Sequence, residues 1–170
     1  MKKYLLIVFI LTPFITFSGE KEVASFIGLS FGYVQNNLSD YDYDTEDTIQ
    51  KNLFFDFSSR FGITDKINNN LSLYYFALLE IGPYLHLGGV SASFGEINIG
   101  TDIKCNYKKF NLGLAIGAEI PLWNYFLRPS IGYNLLKDNI IEFFIDYRLP
   151  VNYNSANSGY KIGFAFYVFI

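Results

Sequence analysis

The chain has 170 residues, 51% hydrophobic, 19% aromatic and 17% charged, with a formal net charge of −3. The charged share is below the roughly 25% usual for a soluble domain, and the acidic balance excludes a broad basic surface for nucleic acid. One Cys and one His exclude a disulfide framework, a multi-cysteine zinc site and the usual His-based metal centres, so no cofactor is expected. With 14 Tyr and 18 Phe the chain is not disordered, and its length suits one domain.

Residues 1–18 read as a secretory signal peptide. Lys2 and Lys3 precede an apolar run from Tyr4 to Phe14, broken only by Thr12 and Pro13. Thr16 and Ser18 are small residues suited to cleavage after Ser18. The run is short for a spanning helix, which needs about 20 residues. The alternative is an uncleaved N-terminal anchor. Residues 19–170 form the folded domain. Without Lys2 and Lys3, eleven basic side chains face sixteen acidic ones.

No later segment is apolar enough to cross a membrane as a helix. Period-two alternation recurs instead, over pieces of about ten residues. It predicts eight strands, at 23–33, 53–63, 71–81, 96–107, 110–120, 125–134, 140–149 and 160–170. Connections at 64–69, 108–109 and 136–138 are short polar turns. Those at 36–49, 82–93, 121–124 and 150–158 are less regular and generally longer. Short turns at one end and longer loops at the other is the pattern of an outer-membrane barrel, with the short turns on the periplasmic side. Pro129 interrupts an otherwise strand-like run, so a bulge or a local break in pairing is expected there.

One face of each strand is nearly all Ile, Leu, Phe, Tyr and Val, and the other mixes Gly, Ala, Ser and Asn with charges. A soluble lipocalin-like barrel would turn the apolar set inward. Small residues on the polar face favour the opposite arrangement, because eight strands enclose only enough room for side chains. Tyr33, Trp123, Tyr125, Tyr147 and Tyr160 near one rim, with Tyr107 and Phe110 near the other, support the same choice as interface girdles.

The last strand, Tyr160 to Ile170, reads YKIGFAFYVFI. With the signal peptide and the eight alternating segments, it makes residues 20–170 resemble the small eight-stranded outer-membrane β-barrels of the OmpA/OmpX type. The resemblance implies an all-β, antiparallel, up-and-down transmembrane barrel in the bacterial outer membrane. It also implies partners: outer-membrane lipid, and the barrel-assembly machinery reading the C-terminal strand. A terminal aromatic is usual in that signal; here Phe169 is followed by Ile170. The match is architectural and does not by itself name a function.

The inward set carries Asp56, Glu80, Glu96, Asp102, Glu119, Glu142 and Asp146 with Arg60, Lys104, Arg128, Arg148 and Lys161. Charges in a narrow lumen are tolerated when paired or hydrated. They form either an ion path or a salt-bridged plug, and the narrowness of eight strands favours the plug. The first outer loop holds Asp40, Asp42, Asp44, Glu46 and Asp47. Their spacing begins like a calcium loop, but Thr45 stands where Gly is needed and Lys51 where a bidentate Glu belongs, so a solvated acidic surface is expected. His86 is followed by Leu87 and Gly88, which lacks the His-x-Ser arrangement of lipid A deacylase barrels, so no enzyme is expected. Cys105 is a small apolar filler, and Lys108–Lys109 a charged tight turn. The leading expectation is a non-enzymatic membrane barrel with a structural or surface-interaction role through its outer loops. A narrow ion or small-solute channel and a soluble lipid-binding barrel stand behind it.

Overall fold

A computed structural model of the protein describes residues 20–38, 48–87, 92–93, 97–120, 124–136, 139–150 and 157–170. The expected signal peptide, the acidic cluster from Asp40 to Asp47, Glu96 and Trp123 lie outside them. Ten strands follow in chain order: β1 (Glu20–Leu38), β2 (Thr48–Asn68), β3 (Leu71–Ile81), β4 (Tyr84–His86), β5 (Ala92–Ser93), β6 (Ile97–Tyr107), β7 (Phe110–Ile120), β8 (Asn124–Leu136), β9 (Asn139–Pro150) and β10 (Asn157–Phe169).

Eight of them close an antiparallel barrel. Each long strand pairs with its long neighbours in sequence, and β1 pairs with both β2 and β10. The seam runs from Phe26 opposite Phe169 to Leu38 opposite Asn157, and Ile170 N–H donates to Ser25 O at 3.0 Å below it. Closure leaves no unpaired edge in the barrel wall.

Several expected connections differ. β1 runs on to Leu38, β2 begins at Thr48 and β10 at Asn157, so the segments expected as loops 36–49 and 150–158 are partly barrel wall, held by pairing of 36–38 with both neighbours. The turn expected at 64–69 is mostly strand, because Thr64, Asp65 and Lys66 pair with Tyr74, Leu73 and Ser72. The reversal is confined to Asn69 and Asn70, where Asn70 N–H donates to Asn68 Oδ1 at 2.9 Å. A polar run reads as a loop, yet here the paired strand simply continues past the apolar belt. The segment expected as loop 82–93 contains β4 and β5. Pro83 has no N–H, so the β2 ladder is interrupted at Gly82–Pro83 and resumes when β4 pairs with Asn52 to Phe54. Gly82 lies so close to the Phe55 carbonyl and Asp56 that a Cβ there would collide.

Pro129 pairs with Leu114 of β7, while pairing with β9 skips Arg128 and Pro129 and resumes at Ser130 opposite Phe144. The expected break in pairing occurs without a change of register. The β6–β7 hairpin turns in two residues, with Lys108 in the left-handed region at φ 57°. Mirror-image turns of this kind match the twist of the strands.

The faces divide as the apolar-out assignment has them. Val23, Phe31, Phe61, Ile99, Leu112, Ile131 and Phe164 are exposed on the outside, whereas Ser30, Asp56, Arg60, Glu80, Glu142 and Lys161 are buried inside. The interior is more aromatic than a small-residue face implies. Phe26, Phe54, Phe76, Tyr84, Phe126, Phe144 and Tyr167 all point inward and are buried. Glycine makes the room. Gly32 and Gly163 face each other across the seam, and the Phe54 ring occupies the space that their side chains would fill. Gly100 and Gly117 are likewise opposed, and the Phe126 ring lies against Gly117.

Candidate functional site

Alternation puts every second side chain of eight strands into one narrow lumen. Asp56, Arg60, Glu80, Asp102, Lys104, Glu119, Arg128, Glu142, Asp146, Arg148 and Lys161 are all there, each at most 3% exposed. They assemble into connected clusters.

The first centres on Arg60 of β2 and Glu142 of β9. The Arg60 guanidinium donates to both Glu142 carboxylate oxygens, at 2.9 and 3.2 Å. Its Nε lies 3.0 Å from Asp102 Oδ2, a close ion pair whose geometry is off-axis for a hydrogen bond. Lys104 donates to Glu142 and sits 3.4 Å from Asp102. Two cations and two carboxylates neutralise one another here. The Arg60 guanidinium also stacks 3.8 Å above the Tyr167 ring.

The second centres on Arg128 of β8. It grips Glu80 with two hydrogen bonds, at 2.5 and 2.6 Å, and Asp146 with two more, one at 2.7 Å. Ser58 Oγ and Asn98 Nδ2 each donate to Glu80 at 3.4 Å. Ser58 also reaches Tyr167 Oη at 3.5 Å, which ties the two clusters together. The Phe144 ring lies 4.3 Å from the Arg128 guanidinium. Planar, bidentate donors suit these pairs better than a lysine ammonium would.

Smaller groups complete the column. Lys161 donates to Asp56, with its ammonium 4.0 Å from the Phe54 ring centroid. Near the loop end, Arg148 donates to Tyr84 Oη at 2.7 Å and faces Glu119 at 3.6 Å, and Asn124 donates to Glu119 at 3.4 Å. Near the turn end, Asn111 donates to Asn134 at 3.2 Å, Asn134 to Asn106 at 3.1 Å, and Asn106 to Tyr74 Oη at 3.4 Å.

Sequence reading found the charges but not the rings that cover them. Phe54, Tyr84, Phe126, Phe144 and Tyr167 carry the lumen's cation–π contacts, and their inward parity was the available signal. Among the described residues, no group of His, Cys, Asp and Glu is arranged to hold a metal ion. Cys105 is exposed on the outer surface.

The outer surface has its own order. Tyr107 and Phe110 are exposed at the turn end, where Lys108 lies 5.4 Å from the Tyr107 ring and Lys109 6.0 Å from the Tyr133 ring. At the loop end, Tyr125 and Tyr147 are exposed, and Tyr33 and Tyr160 both donate to Gln35, at 3.3 and 3.1 Å.

The fold and the lumen thus define a closed eight-stranded barrel, apolar outside and ionically cross-linked within. No protein-family profile matches the sequence, and no curated protein matches it. Among solved structures the chain is similar to Ail, the attachment invasion locus protein of Yersinia pestis. Identity is 11%, the match covers 84% of this chain and 97% of that one, and the TM-score is 0.28.

Proposed function

We propose that the protein is a non-enzymatic β-barrel of the bacterial outer membrane with a structural or surface-interaction role. The carrying observation is the continuous apolar exterior around a closed wall, with the strand charges turned inside. Water does not stabilise such a surface, whereas hydrocarbon does, and a closed sheet satisfies its own backbone there. Strands β3, β6 and β7 have eleven residues each. At about 3.3 Å per residue and a tilt near 40°, that is roughly 28 Å, the thickness of a hydrocarbon core.

The paired lumen supports a rigid plug rather than an ion path. The void beneath Arg60 and Lys104 measures only about 10 Å³, room for about one water. Surface contact falls to the outer loops, above all the acidic segment 36–49, and the C-terminal strand is the element for the assembly machinery. Replacing residues 39–47, between β1 and β2, with a neutral Gly/Ser linker is expected to abolish binding of a surface partner while the barrel still folds.

The lone Cys105 supplies the test of the membrane reading. A nitroxide attached there, in lipid vesicles, is expected to collide more often with oxygen than with a water-soluble nickel complex. Preference for the nickel complex would put this surface in water and overturn the reading.

A further inference from the structure

At the turn end the lumen opens into a cavity of about 440 Å³, a size typical of small-ligand sites. Its mouth carries the Lys66–Glu22 ion pair, 2.7 Å long, and its walls mix apolar Ala24, Phe26, Ile140 and Phe169 with polar Thr64 and Asn134. The rings of Phe26 and Phe169 meet edge to face at 5.4 Å, and Phe26 meets Phe76 at 5.5 Å. Phe26, Tyr74, Asn134 and Ile140 also line the small void below the Arg60–Glu142 cluster, so the two spaces adjoin across these side chains, and Asn111 lines the inner one. The result is a cavity with an apolar side of Phe26, Ile140 and Phe169 and a polar inner end.

The polar end has a definite character. Arg60 and Lys104 are matched by Glu142 and Asp102, so no net charge is offered to a ligand. Asn111, 2% exposed, spends its amide N–H on Asn134, and its Oδ1 has no hydrogen-bond partner among the described residues. A buried acceptor without a donor is costly, and a ligand that supplies the donor relieves that cost.

We infer that this pocket binds a small neutral amphiphile, with its apolar body against Phe26 and Phe169 and a hydroxyl or amide N–H donated to Asn111. The inference rests on the lumen and not on what surrounds the barrel, so the same titration applies in nanodiscs or in buffer. The test is NMR titration of the folded full-length protein with 1-hexanol and with 1-methoxyhexane, which lacks the donor. Saturable shifts at Phe26, Tyr74, Phe169 and the Asn111 side-chain amide are expected for hexanol, with binding about 2- to 10-fold weaker for the ether. Asn111→Leu should weaken hexanol by a similar factor and leave the ether unchanged. Shifts confined to the outward Leu112 and Leu114 would overturn the inference. Equal affinity of alcohol and ether for the unmodified protein would overturn it as well, and that comparison stands even if Asn111→Leu does not fold.

Discussion

Arg128→Met is the sharpest perturbation of the lumen. Methionine keeps much of the volume and removes the guanidinium that holds both Glu80 and Asp146. Glu80 keeps the longer hydrogen bonds from Ser58 and Asn98, at 3.4 Å each, in place of two bonds near 2.5 Å. Removing one partner from a buried, hydrogen-bonded ion pair costs about 3–5 kcal/mol, because the remaining charge has lost its compensation. About 4 kcal/mol is roughly a thousandfold in the unfolding equilibrium. The loss comes from the stranded carboxylates, so neutralising them should reverse most of it. Arg128→Met combined with Glu80→Gln and Asp146→Asn is expected to recover more than half of the lost stability. Urea titration in lipid vesicles, followed by the fluorescence of the single tryptophan, reads both numbers. A single variant within about 1 kcal/mol of the unmodified protein, or a triple variant no better than the single, would refute the view that paired charge holds the lumen together.

Other positions give separate tests. Leu114→Arg, at the middle of outward-facing β7, should cost about 2–4 kcal/mol in a bilayer, measured by the same urea titration, whereas a water-facing surface would tolerate it. Gly163→Leu drives a side chain into the Phe54 and Phe144 rings at the seam and should cost about 1–3 kcal/mol, seen as a lower midpoint. Lys108→Gly relieves a left-handed backbone at φ 57° and should stabilise the β6–β7 hairpin by about 1 kcal/mol. Arg128→Glu should open an ion path detectable in planar bilayers if that cluster is what seals the lumen, while the unmodified barrel stays closed.

Much of the wall was readable because a strand's period of two is local. Alternation around Leu114, Phe143 and Phe164 assigned the outward face correctly, and every described lumen charge sits where parity put it. Pairing inside the lumen was not readable. Arg60 and Glu142 are 82 residues apart and meet across the barrel, a geometry set by strand stagger rather than by any local pattern. The aromatic interior was missed for a related reason. Phe54 looks out of place on a polar face until Gly32 and Gly163, from β1 and β10, are brought opposite each other beside it. The loop at 82–93 hid a hairpin because Gly82–Pro83 is a strong break signal, yet the chain recovers its pairing one residue later.

Heat modifiability tests the closed, membrane-embedded barrel most directly. The protein is folded in detergent and run on SDS gels with and without boiling. A barrel whose seam is sealed from Phe26–Phe169 to Leu38–Asn157 should resist SDS and migrate faster unboiled, then shift to the slower mobility of its unfolded chain on heating. A chain that is soluble without detergent and runs as one unshifted band would contradict it.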